Sequence, residues 1–249
     1  MINKFDIYSE PEIYDDQYWW KKDDIEFYKN LIPSGSNALE LGAGTGRLAI
    51  PLLRHNIDYY GLELSPIFCN HTNKIINRVY DMDRIIRGDM RDFNIDMRFD
   101  YIFIAFNSFL HLLKNDDATA CFQSIYRHLN DGGKFILDIL VPHPHFLYRE
   151  KDDQLPIMDF KDSKSGELVE IFENSQYNHE TEVCDIHWIY RYQKSLREKV
   201  FNYKMRMYYP DTVNRMLIDC NFNISGMYGD YSMKKFSEES NLQIYICQK

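Results

Sequence analysis

Apolar and polar positions follow one rhythm over the first 141 residues and a different one afterwards. DDIEFYKNLI (23–32) has apolar residues at 25, 28, 31 and 32, a helical spacing that Pro33 ends. NALEL (37–41) reads as a short strand running into a glycine loop, and RLAIPLLRH (47–55) as a helix with Pro51 an early irregularity. DYYGLEL (58–64) is a second strand ending at Glu63, followed by the helix SPIFCNHTNKIINRVY, with Ser65 as its cap and Pro66 in its first turn. RIIRGDM supplies a third strand ending at Asp89. FDYIFIAF (99–106) is almost continuously apolar, as a parallel strand buried on both faces should be. DDATACFQSIYRHL repeats at helical spacing until Gly132 and Gly133, which are expected to stop it, and KFILDILV (134–141) is the fifth strand. This alternation predicts an α/β fold with a doubly wound, mostly parallel sheet.

After VPHPHF the period changes to two. ELVEIFENSQY, EVCDIHWIYRYQ and KVFNYKMRMYY are alternating, aromatic-rich segments split by polar turns, and predict three antiparallel strands. PDTVNRMLIDCN then gives a helix, and FNISGMYG and LQIYICQK two closing strands, which bring the main sheet to seven. The expected layout is one domain over 1–249. It has an N-terminal helical lid at 1–35, a core at 36–144 and 210–249, and a small antiparallel sheet inserted after the fifth strand at 145–209.

Composition narrows the partners. The chain of 249 residues is 45% hydrophobic and 15% aromatic, enough to bury a sizeable core. Its net charge of −9 argues against a nucleic-acid backbone as the main partner. The densest basic segment, 191–204, is interrupted by acids and aromatics and reads as a solvated strand face. Five cysteines, at 69, 121, 184, 220 and 247, show no CxxC spacing, which favours reduced, packed thiols in a cytoplasmic protein. The opening MINKFDIYSEPEIYDD is acidic and broken by proline, unlike a signal peptide. No apolar run approaches the ~20 residues of a membrane helix. His143 and His145 in VPHPHF invite a metal reading, but no third ligand accompanies them, so no metal is expected.

The chemistry begins at ELGAGTG (40–46). Glycines this closely spaced after a strand let the backbone approach a ligand, and in an open parallel sheet ligands sit beyond the carboxyl ends of the strands. A nicotinamide fingerprint, G-x-G-x-x-G, fits Gly42 and Gly44, but its third position holds Arg47 and the glycine falls one residue early, at Gly46. Glu40 would repel a pyrophosphate, whereas a ligand with a cationic amino group explains it. Glu63 follows Glu40 by 23 positions, close to the ~20-residue offset that brings an acid to a ribose.

ELGAGTG resembles the first motif of the class I S-adenosylmethionine-dependent methyltransferases, E/D-x-G-x-G-x-G. FNSFLHLL (106–113), NDGGKFILDI (130–139), the antiparallel insert and GMYGDY resemble a small-molecule branch of the same superfamily, so the resemblance spans essentially the whole chain. It implies a Rossmann-like fold with S-adenosyl-L-methionine as cofactor and S-adenosyl-L-homocysteine as product. By the same resemblance Glu63 would accept hydrogen bonds from the ribose hydroxyls, Asp89 would meet the adenine amino group, Met90 would lie beside the ring, and Tyr14 would reach the amino-acid end. Glu40, Gly42, Ala43, Gly44, Gly46, Leu64, Ala105 and Phe106 complete the implied cofactor-binding set. An acidic, aromatic-rich surround, such as PEIYDDQYWW could supply, suits a sulfonium.

Methyl transfer by direct in-line displacement needs approach and orientation more than an acid or base. The expected activity is transfer to nitrogen or oxygen of a small-molecule acceptor. Asn107 and His111, just after the central strand, would line the acceptor side, with His111 a proton acceptor. Asp138, inside the fifth strand, reads as a hydrogen-bonded structural acid. The insert either closes the acceptor pocket or pairs with a second copy as a homodimer. Competing readings are a methyltransferase for a peptide terminus or RNA, a nicotinamide oxidoreductase, and a non-catalytic cofactor-binding protein.

Overall fold

The computed structural model describes residues 6–150 and 153–249. They divide into a large unit, 22–141 and 208–249, and a small unit made of the residues up to Lys21 together with 142–207. The segment expected to form one N-terminal lid is thus shared between units. Helix α1 (Pro11–Gln17) belongs to the small one and α2 (Asp23–Leu31) to the large one.

In the large unit, strands β1 (Asn37–Leu41), β2 (Asp58–Glu63), β3 (Ile85–Arg87), β4 (Phe99–Ile104) and β5 (Leu129–Leu140) run parallel, as the apolar runs predict. With β10 (Asn223–Tyr228) and β11 (Leu242–Gln248) they form a seven-stranded sheet in the order β10-β11-β5-β4-β1-β2-β3, with β11 antiparallel to both neighbours. Order reverses between β1 and β4, which places the glycine loop after β1 at the topological switch point. Helices α3 (Ala49–Arg54), α4 (Pro66–Tyr80), α5 (Asn115–His128) and α7 (Pro210–Asp219) cover the sheet, while α6 (Pro144–Leu147) is a single turn in the small unit.

Local chemistry explains the boundaries. Ser65 caps α4, its Oγ accepting the Phe68 N–H at 3.3 Å, with Pro66 at the first helical position. α3 starts two residues later than its apolar pattern suggests. Pro51 is then its third residue, where an N–H would have no intrahelical acceptor. The glycine pair after α5 does not end that helix. α5 stops at His128, and β5 begins at Leu129 and runs through both glycines with a register shift against β4 between Phe99 and Tyr101. Gly132 has φ +78°, and a Cβ on Gly133 would lie 2.9 Å from the Asn130 carbonyl, so the pair forms a bulge where backbone meets backbone.

The small unit holds a four-stranded antiparallel sheet, β6 (Leu155–Lys161), β7 (Leu168–Asn178), β8 (Val183–Tyr192) and β9 (Glu198–Arg206), in that order. β8 alternates half-buried and buried residues along its whole length, the period-two pattern read from the sequence. β6 is the strand that pattern missed. It carries Pro156 at a register irregularity on the sheet edge, where a missing N–H is tolerated.

Candidate functional site

Four strands of the large unit deliver their carboxyl ends to one place. β1 delivers Glu40 and the glycine turn. Glu40 is 5% exposed, and the Tyr59 hydroxyl donates to its Oε2 at 2.6 Å. Burial pushes the Glu40 carboxyl up to about 8, against the pull of the Tyr59 hydrogen bond and the Arg47 charge. The turn folds back on β2: the Gly42 and Ala43 N–H groups both donate to the Leu62 carbonyl, at 2.8 and 3.1 Å.

The three glycines do different jobs. All have positive φ, +73°, +56° and +76° for Gly42, Gly44 and Gly46. A Cβ on Gly46 would lie 2.2 Å from Thr72 Cγ2, and one on Gly42 would lie 2.8 Å from Ser108 Cβ, so both positions are closed by neighbours. A Cβ on Gly44 would meet no atom within 4 Å, which marks the open side of the turn. The same residue's N–H donates to Glu63 Oε2 at 2.8 Å, and the Ser65 N–H to Glu63 Oε1 at 2.7 Å. The carboxylate at the end of β2 is therefore held on both oxygens by backbone N–H groups, with the Leu64 N–H a further donor beside them. Burial raises the Glu63 carboxyl, and the backbone bonds oppose the rise. Leu64 beside it is 65% exposed, an apolar side chain left out of the core at the rim of the turn.

β3 leads to Asp89 and Met90. Asp89 takes a bidentate pair from Arg91, with Nη2 to Oδ2 at 2.6 Å and Nε to Oδ1 at 3.0 Å, and these bonds hold its carboxyl below the usual range. The Met90 methyl reaches 3.4 Å from where a Gly42 Cβ would stand, so this loop touches the glycine turn directly.

β4 ends in a sharp bend. Ala105 is buried, and Phe106 and Asn107 both take left-handed backbone, φ +49° and +67°. Two such residues in succession store strain of the kind that collects at functional sites. Asp138 on β5 holds the bend: its Oδ1 accepts the Phe106 N–H at 3.2 Å and the Tyr231 hydroxyl at 3.0 Å, and its Oδ2 accepts the Tyr28 hydroxyl at 2.7 Å. The Asn107 side-chain oxygen accepts the Leu140 N–H at 2.8 Å, so that atom is committed to anchoring β5. His111, the last residue of a 3-10 turn (Ser108–His111), is exposed.

The sequence reading brought Glu40, Gly42, Ala43, Gly44, Gly46, Glu63, Leu64, Asp89, Met90, Ala105 and Phe106 to one sheet edge, and the structure places all of them at the ends of β1 to β4. It missed the Arg47–Asp24 pair. Arg47 makes a bidentate contact of 2.6 and 2.7 Å with the fully buried Asp24 and lies over the Phe106 ring at 5.4 Å. Its only signal was an arginine where a nicotinamide site would need glycine. Tyr14 lies in α1 of the small unit, its ring 4.7 Å from Tyr18 and 6.4 Å from Tyr8. In the same unit the Tyr190 hydroxyl donates to Gln17 at 2.7 Å, and the Trp188 indole to Glu173 at 2.9 Å.

All five cysteines are buried and free. Among the described residues no helix is long and apolar enough to cross a membrane, and no group of three His, Cys, Asp or Glu is placed to hold a metal ion.

Residues 39–135 match the family model described as "Methyltransferase domain". The dTDP-3-amino-3,4,6-trideoxy-alpha-D-glucopyranose N,N-dimethyltransferase of Streptomyces venezuelae is 28% identical over 116 residues, 47% of each chain. Among solved structures, the CcbJ methyltransferase from Streptomyces caelestis superposes with a TM-score of 0.79 at 20% identity, covering 96% of this chain and 98% of its own. The sugar N-methyltransferase KedS8 from a Streptoalloteichus species gives 0.68 at 16% identity, covering 92% and 89%. At these identities the structural likenesses establish a shared fold.

Proposed function

We propose that the chain works as a class I S-adenosylmethionine-dependent methyltransferase whose acceptor is a small molecule bearing an amine, with amino sugars the first class to try. The observation that carries the cofactor side is Glu63. Its carboxylate is fixed by the backbone N–H groups of Gly44 and Ser65 at the end of β2, beside the open face of Gly44. A carboxylate held in this way is oriented to accept from the two hydroxyls of a ribose diol. The exposed Leu64 and the Met90 side chain offer apolar faces for an adenine ring, and Asp89 an acceptor for its amino group. Glu40, buried and beside Arg47, suits the cationic end of a methionyl group. The bound cofactor supplies an electrophilic methyl on a sulfonium. The chain's residues bind it, orient it and keep water from it. The acceptor class is supported by the amino-sugar dimethyltransferase and the sugar N-methyltransferase to which the chain is similar. An amine presented with its lone pair free needs no strong base, which agrees with Asn107 serving as a backbone anchor and leaves His111 as the group to receive the departing proton.

Calorimetric titration with S-adenosylmethionine, S-adenosylhomocysteine and NADH tests the cofactor side. Micromolar binding of both adenosyl compounds, lost in Glu63→Ala and absent for NADH, is expected. A radiolabelled methyl-transfer screen over free and nucleotide-linked amino sugars, peptides and RNA tests the acceptor. Transfer to peptide termini or RNA with none to any amino sugar would overturn the small-molecule reading.

A further inference from the structure

The loop between β3 and β4, residues 88–98, carries Asp89 and Met90 yet has almost no regular structure of its own. It is bound instead to one face of α5. Asp117, Ser124 and His128 follow one another at spacings of seven and four, so their side chains share that face. Arg91, while gripping Asp89, reaches Asp117 at 3.3 Å. The Ser124 hydroxyl donates to the Arg91 carbonyl at 3.0 Å and accepts from Arg127 at 2.9 Å. The Ile95 N–H donates to His128 Nε2 at 3.2 Å, which fixes the tautomer. Nδ1 then carries the proton and donates to the Ser124 carbonyl at 2.7 Å. The His128 and Phe93 rings lie 4.4 Å apart, and Arg98 returns to the Arg127 and Leu129 carbonyls at 2.8 and 3.2 Å.

Beside this lacing the loop and the end of α5 border an open surface pocket of about 490 Å³, lined by Asp92, Phe93, Ile95, Arg98, Arg127 and His128. Apart from the buried Phe93, this part of the loop borders that open pocket, so the directed contacts to α5 are what fix its main chain there. On its other side the Met90 methyl already borders Gly42, so a loop displaced toward or away from α5 moves Met90 against the glycine turn.

We propose that Ser124 and His128 are positioning residues for cofactor binding, setting from behind the place of the loop that carries Asp89 and Met90. This rests on the reading of Asp89 and Met90 as the adenine contacts. The clasp acts through main-chain atoms, the Arg91 carbonyl and the Ile95 N–H, so it fixes where the loop runs without itself touching the ligand.

The test is calorimetric titration of S-adenosylhomocysteine and adenosine, with thermal midpoints measured alongside, on Asp89→Ala, Ser124→Ala, His128→Ala, His128→Gln and Val213→Ala. Val213, on α7, is fully buried and serves as a destabilised control remote from the loop. Ser124→Ala and His128→Ala are expected to weaken both ligands roughly five- to tenfold, the effect of one buried hydrogen bond. His128→Gln, which keeps a donor and an acceptor, should stay within about threefold of the parent, and Val213→Ala should lower the midpoint with affinity unchanged. Asp89→Ala weakening both ligands while Ser124→Ala and His128→Ala lower only the midpoint would overturn the proposal. Asp89→Ala with unchanged affinity would overturn the adenine reading and the proposal together.

Discussion

Glu40 is the residue whose environment makes the sharpest demand on a ligand. Burial lifts its carboxyl from 4.5 to about 8, so it is mostly protonated at neutral pH in the free protein. The unfolded chain would release that proton, so the stability this group contributes is fully present below pH 4.5 and lost as pH rises through about 8. An ammonium placed beside it favours the ionised form, so the complex binds fewer protons than the free protein. Affinity for S-adenosylmethionine should therefore climb as pH rises toward about 8 and flatten above it. Binding at pH 7 should release a proton, seen as a heat that depends on the buffer's ionisation enthalpy and vanishes in Glu40→Gln. Buffer-independent heats in the parent protein would sink the assignment. The glycines separate stability from binding just as cleanly. Gly46→Ala drives a methyl to 2.2 Å from Thr72 at φ +76° and should cost about 2–4 kcal/mol in urea unfolding. Gly44→Ala meets no atom within 4 Å and should cost about 1–2 kcal/mol, yet abolish S-adenosylhomocysteine binding because its methyl stands on the open face. Equal binding in Gly44→Ala and parent would mean that face holds no ligand. These roles were legible in ELGAGTG as a group, but which glycine is closed by Thr72 and which is open depends on α4, and no local pattern records it.

Elements show why some of the fold was readable and some was not. α4 announced itself through Ser65, Pro66 and a sustained helical period, and β4 through an apolar run, because those signals are local. β6 was hidden because Pro156 and its half-exposed residues give an edge strand neither alternation nor a continuous apolar run. The bend after β4 was hidden for a different reason. Phe106 has no intrinsic preference for left-handed backbone; it is held there by Asp138, 32 positions away on β5. Asp138 could be read from sequence as a structural acid, but not as the acceptor for Tyr28, Tyr231 and the Phe106 amide at once. This junction joins α2, β4, β5 and the segment carrying Tyr231. Replacing the carboxylate by an amide turns one acceptor into a donor facing donors. Asp138→Asn should lower stability by about 2–3 kcal/mol in urea unfolding and weaken cofactor binding, whereas Tyr231→Phe, which leaves the other two donors satisfied, should cost about 1 kcal/mol. An Asp138→Asn variant as stable as the parent would show that the bend is fixed by packing rather than by this acid.

For the whole molecule, charge decides how an acceptor arrives. A chain of net charge −9 attracts cations and repels polyanions over about one Debye length, ~10 Å at 0.1 M salt. An amine-bearing acceptor with no phosphate should therefore be drawn in, and raising salt from ~10 to ~200 mM should lower its kcat/KM by about two- to threefold. A nucleotide-linked amino sugar carries two phosphate charges against the same field. If that is the acceptor, the slope reverses and kcat/KM rises with salt until the repulsion is screened. The experiment thus distinguishes a free from a nucleotide-linked sugar before either complex is seen. An acceptor that lost affinity linearly against the logarithm of salt with a slope of several units would instead be meeting a row of basic side chains, as a nucleic acid does. The densest run of them, 191–204, pairs Arg191 with Glu198 and Lys204 with Asp185 on neighbouring strands of the small sheet, spending those charges within the protein. A steep negative slope for RNA would therefore overturn both the charge argument and the small-molecule reading it supports.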